Sequence, residues 1–286
     1  MHPTETTLER PAATLPPAVH CVEDLVRRGA SIKRRFLGMY RRANAGHVGA
    51  ALSCAEILTF TRFAWMGSDD ALLLSKGHAA AALYSLLAET GEIPEEWIET
   101  FYRNGTLLSA HPPPLGLPGV KFATGSLGHG LSLAAGMVLG DRLLGRAGTV
   151  FCVTSDGELD EGSTWEAAMF AAHHRLSRLV WLIDRNGIQG FGSTEAVLAL
   201  EPLREKLTAF GWRVIEADGH SYESLEAARD EARPHAAAER ARPCVIVCHT
   251  TKGRGLGTLE GTVDCHYLPL TEARYLAALD SLEGGR

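Results

Sequence analysis

Apolar residues in the second half of the chain form short runs separated by amphipathic stretches. The runs at 149–154, 179–183, 212–215 and 244–249 predict buried strands, and helical periodicity fits 163–174, 200–210 and 221–238. Strands that alternate with helices indicate parallel βαβ units with right-handed crossovers. We therefore expect an α/β fold with a doubly wound, mainly parallel sheet flanked by helices.

The first half is mainly helical. Helical patterns fit residues 21–43, 54–65, 79–87, 94–102 and 130–144, and a short apolar run at 71–75 predicts one more strand. Residues 1–20 are rich in Pro, Ala and Thr and lack the apolar core of a signal peptide. We expect a disordered tail over 1–20 and one domain over 21–286.

Polar clusters follow two of the predicted strands. Ser155-Asp156-Gly157-Glu158 comes after the run 149–154, and Asp184-Arg185-Asn186-Gly187-Ile188-Gln189 comes after 179–183. The carboxyl ends of parallel strands meet at one edge of a sheet, so these clusters should lie together. A carboxylate, an amide oxygen and a loop carbonyl, completed by diphosphate oxygens and water, suit Mg²⁺. Acids that complement a helix dipole explain Asp160 but not Asp156, which follows a buried strand.

Composition narrows the range of partners. The chain has 286 residues, a net charge of −6 and 22 % charged residues, which disfavours nucleic acid as the main partner. No apolar segment is long enough to span a membrane. Six cysteines without a close CxxC pair indicate a reducing cytoplasm, with Cys152, Cys244 and Cys248 buried. The basic residues of the first helix are interpreted as a solvated or interface face; they are Arg27, Arg28, Lys33, Arg34, Arg35, Arg41 and Arg42.

Histidines recur at loop positions after apolar or glycine-rich segments: His47, His78, His111, His129, His220 and His266. One such histidine is usually structural, but several indicate an anion or sugar site, because imidazoles bind phosphate and move protons near neutral pH. The glycine-rich segment 124–130 opens a predicted helix and can bring backbone amides close to an anion. It lacks the strand that precedes a dinucleotide fingerprint, and the chain has no Walker sequence, which disfavours an ordinary P-loop NTPase.

These motifs together resemble the N-terminal half of transketolase, in the form encoded as a separate subunit. The resemblance covers about residues 25 to 280. It rests on Ala45-Gly46-His47-Val48-Gly49, Leu74-Ser75-Lys76-Gly77-His78, Ala110-His111-Pro112, Thr124-Gly125-Ser126-Leu127-Gly128, Asp156-Gly157-Glu158, Glu161-Gly162-Ser163-Thr164-Trp165-Glu166-Ala167, the 184–189 cluster, Lys252-Gly253-Arg254-Gly255 and His266-Tyr267.

The resemblance implies the domain that holds thiamine diphosphate through Mg²⁺. Its metal ligands would be Asp156, Asn186 and the carbonyl of Ile188. The cofactor-binding residues that it implies are His78, Gly125, Leu127, Gly157, Glu158, Asn186 and His266. The catalytic residues facing the sugar would be His47, His111 and His266. Glu161 and Glu166 are similar to the family's interface acids, which link paired active sites.

The resemblance also implies a partner. In the family, a glutamate on a pyrimidine-binding domain activates the cofactor, and that domain lies beyond the homologous region. We expect a C-terminal transketolase subunit to supply it, in an α2β2 heterotetramer, and this chain to be inactive alone. The complete enzyme would move a two-carbon ketol unit from a ketose to an aldose, with sugars or sugar phosphates as substrates. The sugars, and the choice between central and specialised metabolism, stay open.

Three departures from the family pattern bear on specificity. Ser155 replaces the usual Gly beside the metal aspartate, Val48 stands where Pro is frequent, and Cys265 stands where the split subunits commonly carry an aromatic residue. Two alternatives remain. One is a subunit of another thiamine diphosphate enzyme, deoxyxylulose-phosphate synthase-like or 2-oxo acid decarboxylating, which the 158–167 pattern disfavours. The other is a non-catalytic regulatory subunit, which the retained histidines disfavour.

Overall fold

The computed structural model describes residues 21–237 and 241–284. Its central sheet has five parallel strands in the order β1-β2-β3-β7-β6. These are β1 (Ala71–Leu74), β2 (Val150–Ser155), β3 (Leu179–Arg185), β6 (Arg213–Asp218) and β7 (Cys244–His249). A small antiparallel hairpin, β4 (Ile188–Gln189) and β5 (Gly192–Ser193), follows β3. The predicted parallel α/β fold is confirmed.

The central strands are buried on both faces, which explains their continuous apolar runs. Along β2, Phe151 and Val153 pack into one core, whereas Val150 and Cys152 pack into the other. This alternation follows from the two-residue period of a strand. The sheet therefore separates two hydrophobic cores, and each core needs its own layer of helices.

Helices cover both faces. One core includes residues of α1 (Val22–Ala43), α2 (Val48–Phe60), α3 (Ala80–Glu89), α8 (Tyr222–Ala237) and α10 (Glu272–Gly284). The other includes residues of α4 (Gly130–Leu143), α5 (Gly162–His173) and α7 (Leu203–Ala209). Two short helices, α6 (Thr194–Val197) and α9 (Asp264–Tyr267), lie in the connecting segments.

Three predicted helices differ from the structure. Residues 94–102 contain the 3-10 helix Glu95–Thr100, in which the Thr100 hydroxyl also donates to the Trp97 carbonyl at 2.7 Å. The helix predicted at 54–65 begins at Val48 and ends in the π-helical turn Thr61–Trp65. The helix predicted at 200–210 begins only at Leu203, because Pro202 is extended (φ −80°, ψ 105°) and the residue before a proline disfavours the helical conformation. The strand predicted at 212–215 spans Arg213–Asp218, and the predicted tail 1–20 lies outside the described residues.

Five basic residues of α1 are held by acids of neighbouring segments. Arg28 and Arg35 bond Glu89, Lys33 bonds Glu56, Arg41 bonds Glu272 and Arg42 bonds Glu99. They therefore form the packed surface of α1 and not a free cationic patch. None of the helices in the described part of the chain is both long and apolar enough to cross a membrane.

Candidate active site

The predicted metal residues meet where β2 and β3 end. The two strands pair in parallel with Ser155 opposite Asp184. The backbone N–H of Asp156 continues this ladder by donating to the Asp184 carbonyl at 3.2 Å. Asn186 follows β3 directly, so that Asp156 and Asn186 leave neighbouring strands at the same edge. Only 1 % of Asp156 is exposed.

The Asp156 carboxylate is surrounded by donors. One oxygen accepts from the Gly157 amide (2.9 Å), and the other accepts from the Gly187 amide (2.5 Å) and from Arg185 (3.2 Å). Burial and then the neighbouring Asp184 carboxylate raise the pKa of Asp156. A buried anion with a raised pKa gains when a cation arrives. The carboxylate is therefore fixed in place and favours a positive ligand.

Asn186 and Ile188 supply two more oxygens on the turn after β3. The Asn186 amide oxygen accepts from the Ile188 N–H at 3.2 Å, which holds the turn closed. The Ile188 carbonyl accepts from the ammonium of Lys252 at 2.8 Å. Lys252 lies after β7, is 3 % exposed, and has its pKa lowered to about 8 by burial and then by the charge of Lys76. This edge thus carries oxygen atoms that can ligate a metal, next to the buried ammonium of Lys252.

A buried ion pair connects the segments that form the carboxyl edge of the sheet. Lys76 and Asp184 are both fully buried and bond each other, and Asp184 also accepts from Ser53 (2.5 Å) and from Thr250. Burial disfavours both charges, but the partner outweighs it, so the pKa of Lys76 is raised and that of Asp184 is lowered. The pair ties the ends of β1, β3 and β7 to α2.

Four histidines, His47, His78, His111 and His266, cluster beside these strand ends and are called the histidine wall. The rings of His47 and His266 lie 4.7 Å apart, those of His47 and His78 5.6 Å, and those of His47 and His111 6.3 Å between centroids. His47 donates its backbone N–H to the His266 carbonyl at 2.7 Å. A Cβ on Gly190, in the hairpin after Ile188, would lie 3.8 Å from the His266 ring, which connects this wall to the strand-end residues.

All four imidazoles are held neutral. Burial lowers the pKa of His47, His78 and His111, and burial followed by the charge of Lys252 lowers that of His266 to about 3. The Nδ1 atom of His266 is buried and has no hydrogen-bond partner among the described residues. A neutral imidazole can both donate and accept, so the cluster can hold hydroxyl groups or relay a proton.

Three glycines, Gly77, Gly125 and Gly157, allow segments of the site to pack closely and are called the glycine floor. A Cβ on Gly77 would lie 2.6 Å from the Gly125 amide nitrogen, and one on Gly125 would lie 2.6 Å from the His111 ring. Gly125 has a φ of +128°, which a residue with a side chain rarely adopts. The segment before His78 therefore packs against the backbone at Gly125, and Gly125 in turn packs against the His111 side chain. A Cβ on Gly157 would meet Gln189 at 2.9 Å, so Gly157 in turn allows the hairpin to close.

Glu158 is fully buried behind this floor. One of its carboxylate oxygens accepts from the Ser75 hydroxyl and from the Gly128 amide (2.8 Å). The other is buried without a partner among the described residues, and burial raises the pKa of the group. Glu158 thus ties the end of β1 to the glycine-rich segment before α4. Its role in cofactor binding stays a prediction.

Sequence comparison identifies the family to which this arrangement belongs. Residues 30–281 match the family described as transketolase, thiamine diphosphate binding domain. The chain belongs to this family. The resemblance seen in the motifs is therefore confirmed, and with it the class of cofactor and of enzyme.

Two relatives illustrate the match along the sequence. The chain is 38 % identical over 269 residues to a 6-deoxy-6-sulfo-D-fructose transketolase subunit of Clostridium sp. (strain MSTE9), covering 91 % of this chain and 96 % of that one. It is 36 % identical over 255 residues to an apulose-4-phosphate transketolase subunit of Actinobacillus succinogenes, covering 86 % and 91 %. Both names describe subunits, and both proteins are matched over nearly their whole length.

Solved transketolases share the fold. The Leishmania mexicana enzyme superposes with a TM-score of 0.82 at 26 % identity, covering 91 % of this chain and 41 % of that one. The Campylobacter jejuni enzyme gives 0.81 at 28 % identity, covering 92 % and 43 %. The chain thus spans about two fifths of the length of these solved transketolases.

The residues at the strand ends fit the cofactor of this family. Asp156, Asn186 and the Ile188 carbonyl are a donor set of hard oxygens that suits Mg²⁺, and a carbonyl oxygen can accept from Lys252 and still bind a cation. No three His, Cys, Asp or Glu side chains converge as a metal site within residues 21–237 and 241–284. A bound Mg²⁺ would therefore need further oxygens from a ligand, and the buried ammonium of Lys252 favours an anionic one.

The remaining predicted residues lie at the margins. Leu127 is half-buried, two residues after Gly125, and its carbonyl is bonded by His129 at 3.2 Å. Glu161 and Glu166 are exposed, just before and within α5.

Three buried charges of the site have no role in the sequence-based prediction. Lys252 stands there only within the motif 252–255, although its place soon after a buried strand is the same kind of signal that points to Asp156. Lys76 and Asp184 lie in different motifs, and their spacing does not reveal that they pair.

Proposed function

We propose that this chain is the diphosphate-binding subunit of a two-chain transketolase. The complete enzyme transfers a two-carbon ketol unit from a ketose to an aldose. The observation that carries the proposal is the meeting of Asp156, Asn186 and the Ile188 carbonyl with the Lys252 ammonium at one sheet edge, opposite a cluster of neutral histidines. A regulatory subunit that had lost catalysis would not need this combination of donors and imidazoles.

Within the site, this chain binds and orients. Asp156, Asn186 and the Ile188 carbonyl would hold Mg²⁺, and Lys252 and His78 would contact the diphosphate oxygens. The amide groups of the Gly125–Leu127 and Gly157 segments would line the cofactor on the side where glycine permits close approach. Thiamine diphosphate, when bound, supplies the covalent chemistry of carbon–carbon cleavage and formation.

The histidines would act on the sugar. Neutral His47, His111 and His266 can donate to or accept from its hydroxyl groups over the whole physiological pH range, because their pKa values lie below the ordinary value. A proton leaving a sugar hydroxyl would pass to this cluster.

A partner subunit would complete the site against α5. Glu161 and Glu166 are exposed there. Met169 and Phe170, which are 49 % and 41 % exposed, add an apolar surface on the same helix. An apolar patch rimmed by charge is typical of a protein interface. The subunit names of relatives of matching length support a second chain, and we propose an α2β2 heterotetramer.

The relatives also suggest the substrate class. Two of them are named for 6-deoxy-6-sulfo-D-fructose and for apulose 4-phosphate, which are both anionic sugars. We therefore propose that the present chain works in a specialised pathway of carbohydrate metabolism, with a phosphorylated or sulfonated sugar as substrate. A cytoplasmic location fits its six free cysteines, five of which are buried.

The experiment is coexpression with the candidate C-terminal partner chain and purification of the complex. Ketol transfer is then followed with thiamine diphosphate, Mg²⁺ and paired phosphorylated and unphosphorylated sugars. We expect transfer by the complex and none by either chain alone. Turnover by this chain alone would refute the two-chain proposal, and cofactor-independent aldol cleavage would refute the reaction type.

A further inference from the structure

His220 belongs to a buried polar chain that the proposed function leaves without a role. Its Nδ1 lies 3.2 Å from a carboxylate oxygen of Glu56, and its Nε2 accepts from the backbone N–H of Thr251 at 2.9 Å. Because Nε2 accepts, the ring proton must sit on Nδ1, where it donates to Glu56. The other oxygen of Glu56 is bonded by Lys33. The imidazole thus bridges α2 and the segment after β7 in one fixed tautomer.

This chain of polar groups is shielded from solvent. The side chains of Lys33, Glu56 and His220 are 14 %, 9 % and 11 % exposed. Burial opposes the ionisation of Glu56, but the Lys33 charge and the His220 bond outweigh it, so that its pKa lies below the ordinary value. A carboxylate that stays charged next to the ring keeps the Nδ1 proton in place. In this tautomer Nε2 is the acceptor of the Thr251 N–H.

The backbone that His220 holds is the backbone that presents Lys252. The Thr250 N–H donates to the Arg185 carbonyl (3.1 Å), and the Gly253 N–H donates to the Gly49 carbonyl (3.1 Å). Between these two anchors, Thr251 donates to the His220 ring. Lys252 is a long, flexible side chain, so its ammonium stays 2.8 Å from the Ile188 carbonyl only if its own backbone is fixed.

Hydrogen bonds and close packing in the loop before α8 place His220 next to Thr251. The Gly219 N–H donates to the His249 carbonyl at 2.8 Å, and a Cβ on Gly219 would press against Cys248 at 3.0 Å. The His220 N–H donates in turn to the Asp218 carboxylate at 2.9 Å. The turn therefore lies flat on the end of β7, with the imidazole directed at the segment that follows this strand.

We propose that His220 is a positioning residue for the cofactor site, which acts through the Thr251 N–H to hold Lys252 against the Ile188 carbonyl. The inference rests on the proposed function, since it assigns Lys252 to the diphosphate. Its consequence is that loss of the Nε2 acceptor weakens cofactor binding more than it weakens the fold.

The test titrates thiamine diphosphate with Mg²⁺ into the full-length chain by calorimetry, and into its complex with the partner if the chain alone gives no heat. In H220Q the amide oxygen occupies the place of Nε2, whereas in H220N the amide reaches only the place of Nδ1. We expect H220A and H220N to raise the Kd about tenfold, as for loss of one buried hydrogen bond. H220Q should stay within about twofold of the native chain.

A double-mutant cycle with K252M separates positioning from general stability. If His220 acts through Lys252, H220A changes the Kd less than about twofold in the K252M background. H249A is the matched control, because His249 is 57 % exposed and adjoins the same loop but bonds Glu216. We expect it to leave the Kd unchanged.

The outcomes are distinct. A native-like Kd in H220A, a full tenfold effect in the K252M background, or a Kd for H220Q as weak as for H220A would each overturn the role of His220. If H220A does not fold, the contrast between H220Q and H220N decides. Failure of the native chain to bind thiamine diphosphate, alone and in the complex, would instead overturn the proposed function, and this inference with it.

Discussion

The ammonium of Lys252 donates a 2.8 Å hydrogen bond to the carbonyl oxygen of Ile188. The first residue follows β7 and the second follows β3, and these strands are neighbours in the sheet although the two residues are 64 positions apart in sequence. The bond brings a buried cation to an oxygen that is also a proposed metal ligand. A diphosphate bound at this edge would therefore contact two positive charges, the Lys252 ammonium and the proposed metal ion.

Replacing Lys252 should therefore weaken cofactor binding strongly. We expect K252M, which keeps the length of the side chain but not its charge, to raise the Kd of thiamine diphosphate more than about tenfold, since hydrogen bonds to charged groups are the strong ones. The measurement is a calorimetric titration at constant Mg²⁺. R254M is the control, because Arg254 is an exposed cation of the same segment. Equal effects of the two substitutions would show that only net charge matters.

The histidine wall should determine sugar binding and turnover. We expect H111N to lower kcat/KM for the sugar about tenfold to a hundredfold and to leave the Kd of thiamine diphosphate within about twofold, because general acid–base groups contribute on this scale. Steady-state kinetics of the complex with a ketose phosphate such as fructose 6-phosphate provide the measurement. H249N serves as the control, because His249 is 57 % exposed and bonds Glu216. A loss of cofactor binding in H111N would place His111 in the cofactor site instead.

Acid should destabilise the fold before it protonates the site. His47, His78, His111 and His266 have pKa values below 6.5 when folded. Unfolded histidines titrate near 6.5, so below that pH the unfolded chain binds protons that the folded chain excludes. Stability contributed by the neutral rings is full above about pH 7 and is lost progressively as the pH falls below about 6.5.

Calorimetric melting at about pH 7.5 and about pH 5.5 measures this loss, which we expect to lower the Tm by about 5 °C or more. In H47N the asparagine can keep the left-handed backbone at φ 73° but does not titrate. Its Tm should fall less steeply with pH than that of the native chain. An equal slope in both proteins would mean that other groups cause the pH dependence.

The glycine floor should not tolerate a methyl group. We expect G77A to destabilise the chain by about 1–3 kcal/mol, because its Cβ would lie 2.6 Å from backbone atoms of Thr124 and Gly125, which cannot move aside like a side-chain tip. G136A is the matched control, since a Cβ there meets nothing within 4 Å and alanine favours the helix α4. Urea unfolding of both variants compares them, and similar stabilities would refute the close packing.

The sequence predicted the strand-end site because its signal is local. Asp156 and Asn186 each follow directly after a buried strand, so both side chains must lie at the carboxyl edge of the sheet. The fold followed from the same alternation of strands and helices. The helical pattern at 94–102 corresponds to the 3-10 helix Glu95–Thr100, because periodicity alone does not distinguish this tighter helix from an α-helix.

The rest of the site depends on strand order. The insertion of β7 between β3 and β6 brings Lys252 to Ile188 and His220 to Thr251, and no spacing along the chain encodes that neighbourhood. Likewise, the departure at Cys265 is explained only in the structure. Its side chain is buried against Gly49 and Gly253, where an aromatic ring would not fit without backbone movement.

Everything proposed for this chain depends on its binding the diphosphate of thiamine diphosphate through a metal held at the carboxyl edge of the sheet. Calorimetric titration of thiamine diphosphate into the chain with its partner, with Mg²⁺ and then with the metal removed by EDTA, tests this binding most directly when D156N is measured beside the native protein. We predict binding that weakens more than about a hundredfold without Mg²⁺, and a D156N variant that no longer responds to the metal. Equal affinity in EDTA, or native Mg²⁺ dependence in D156N, would contradict the proposed site.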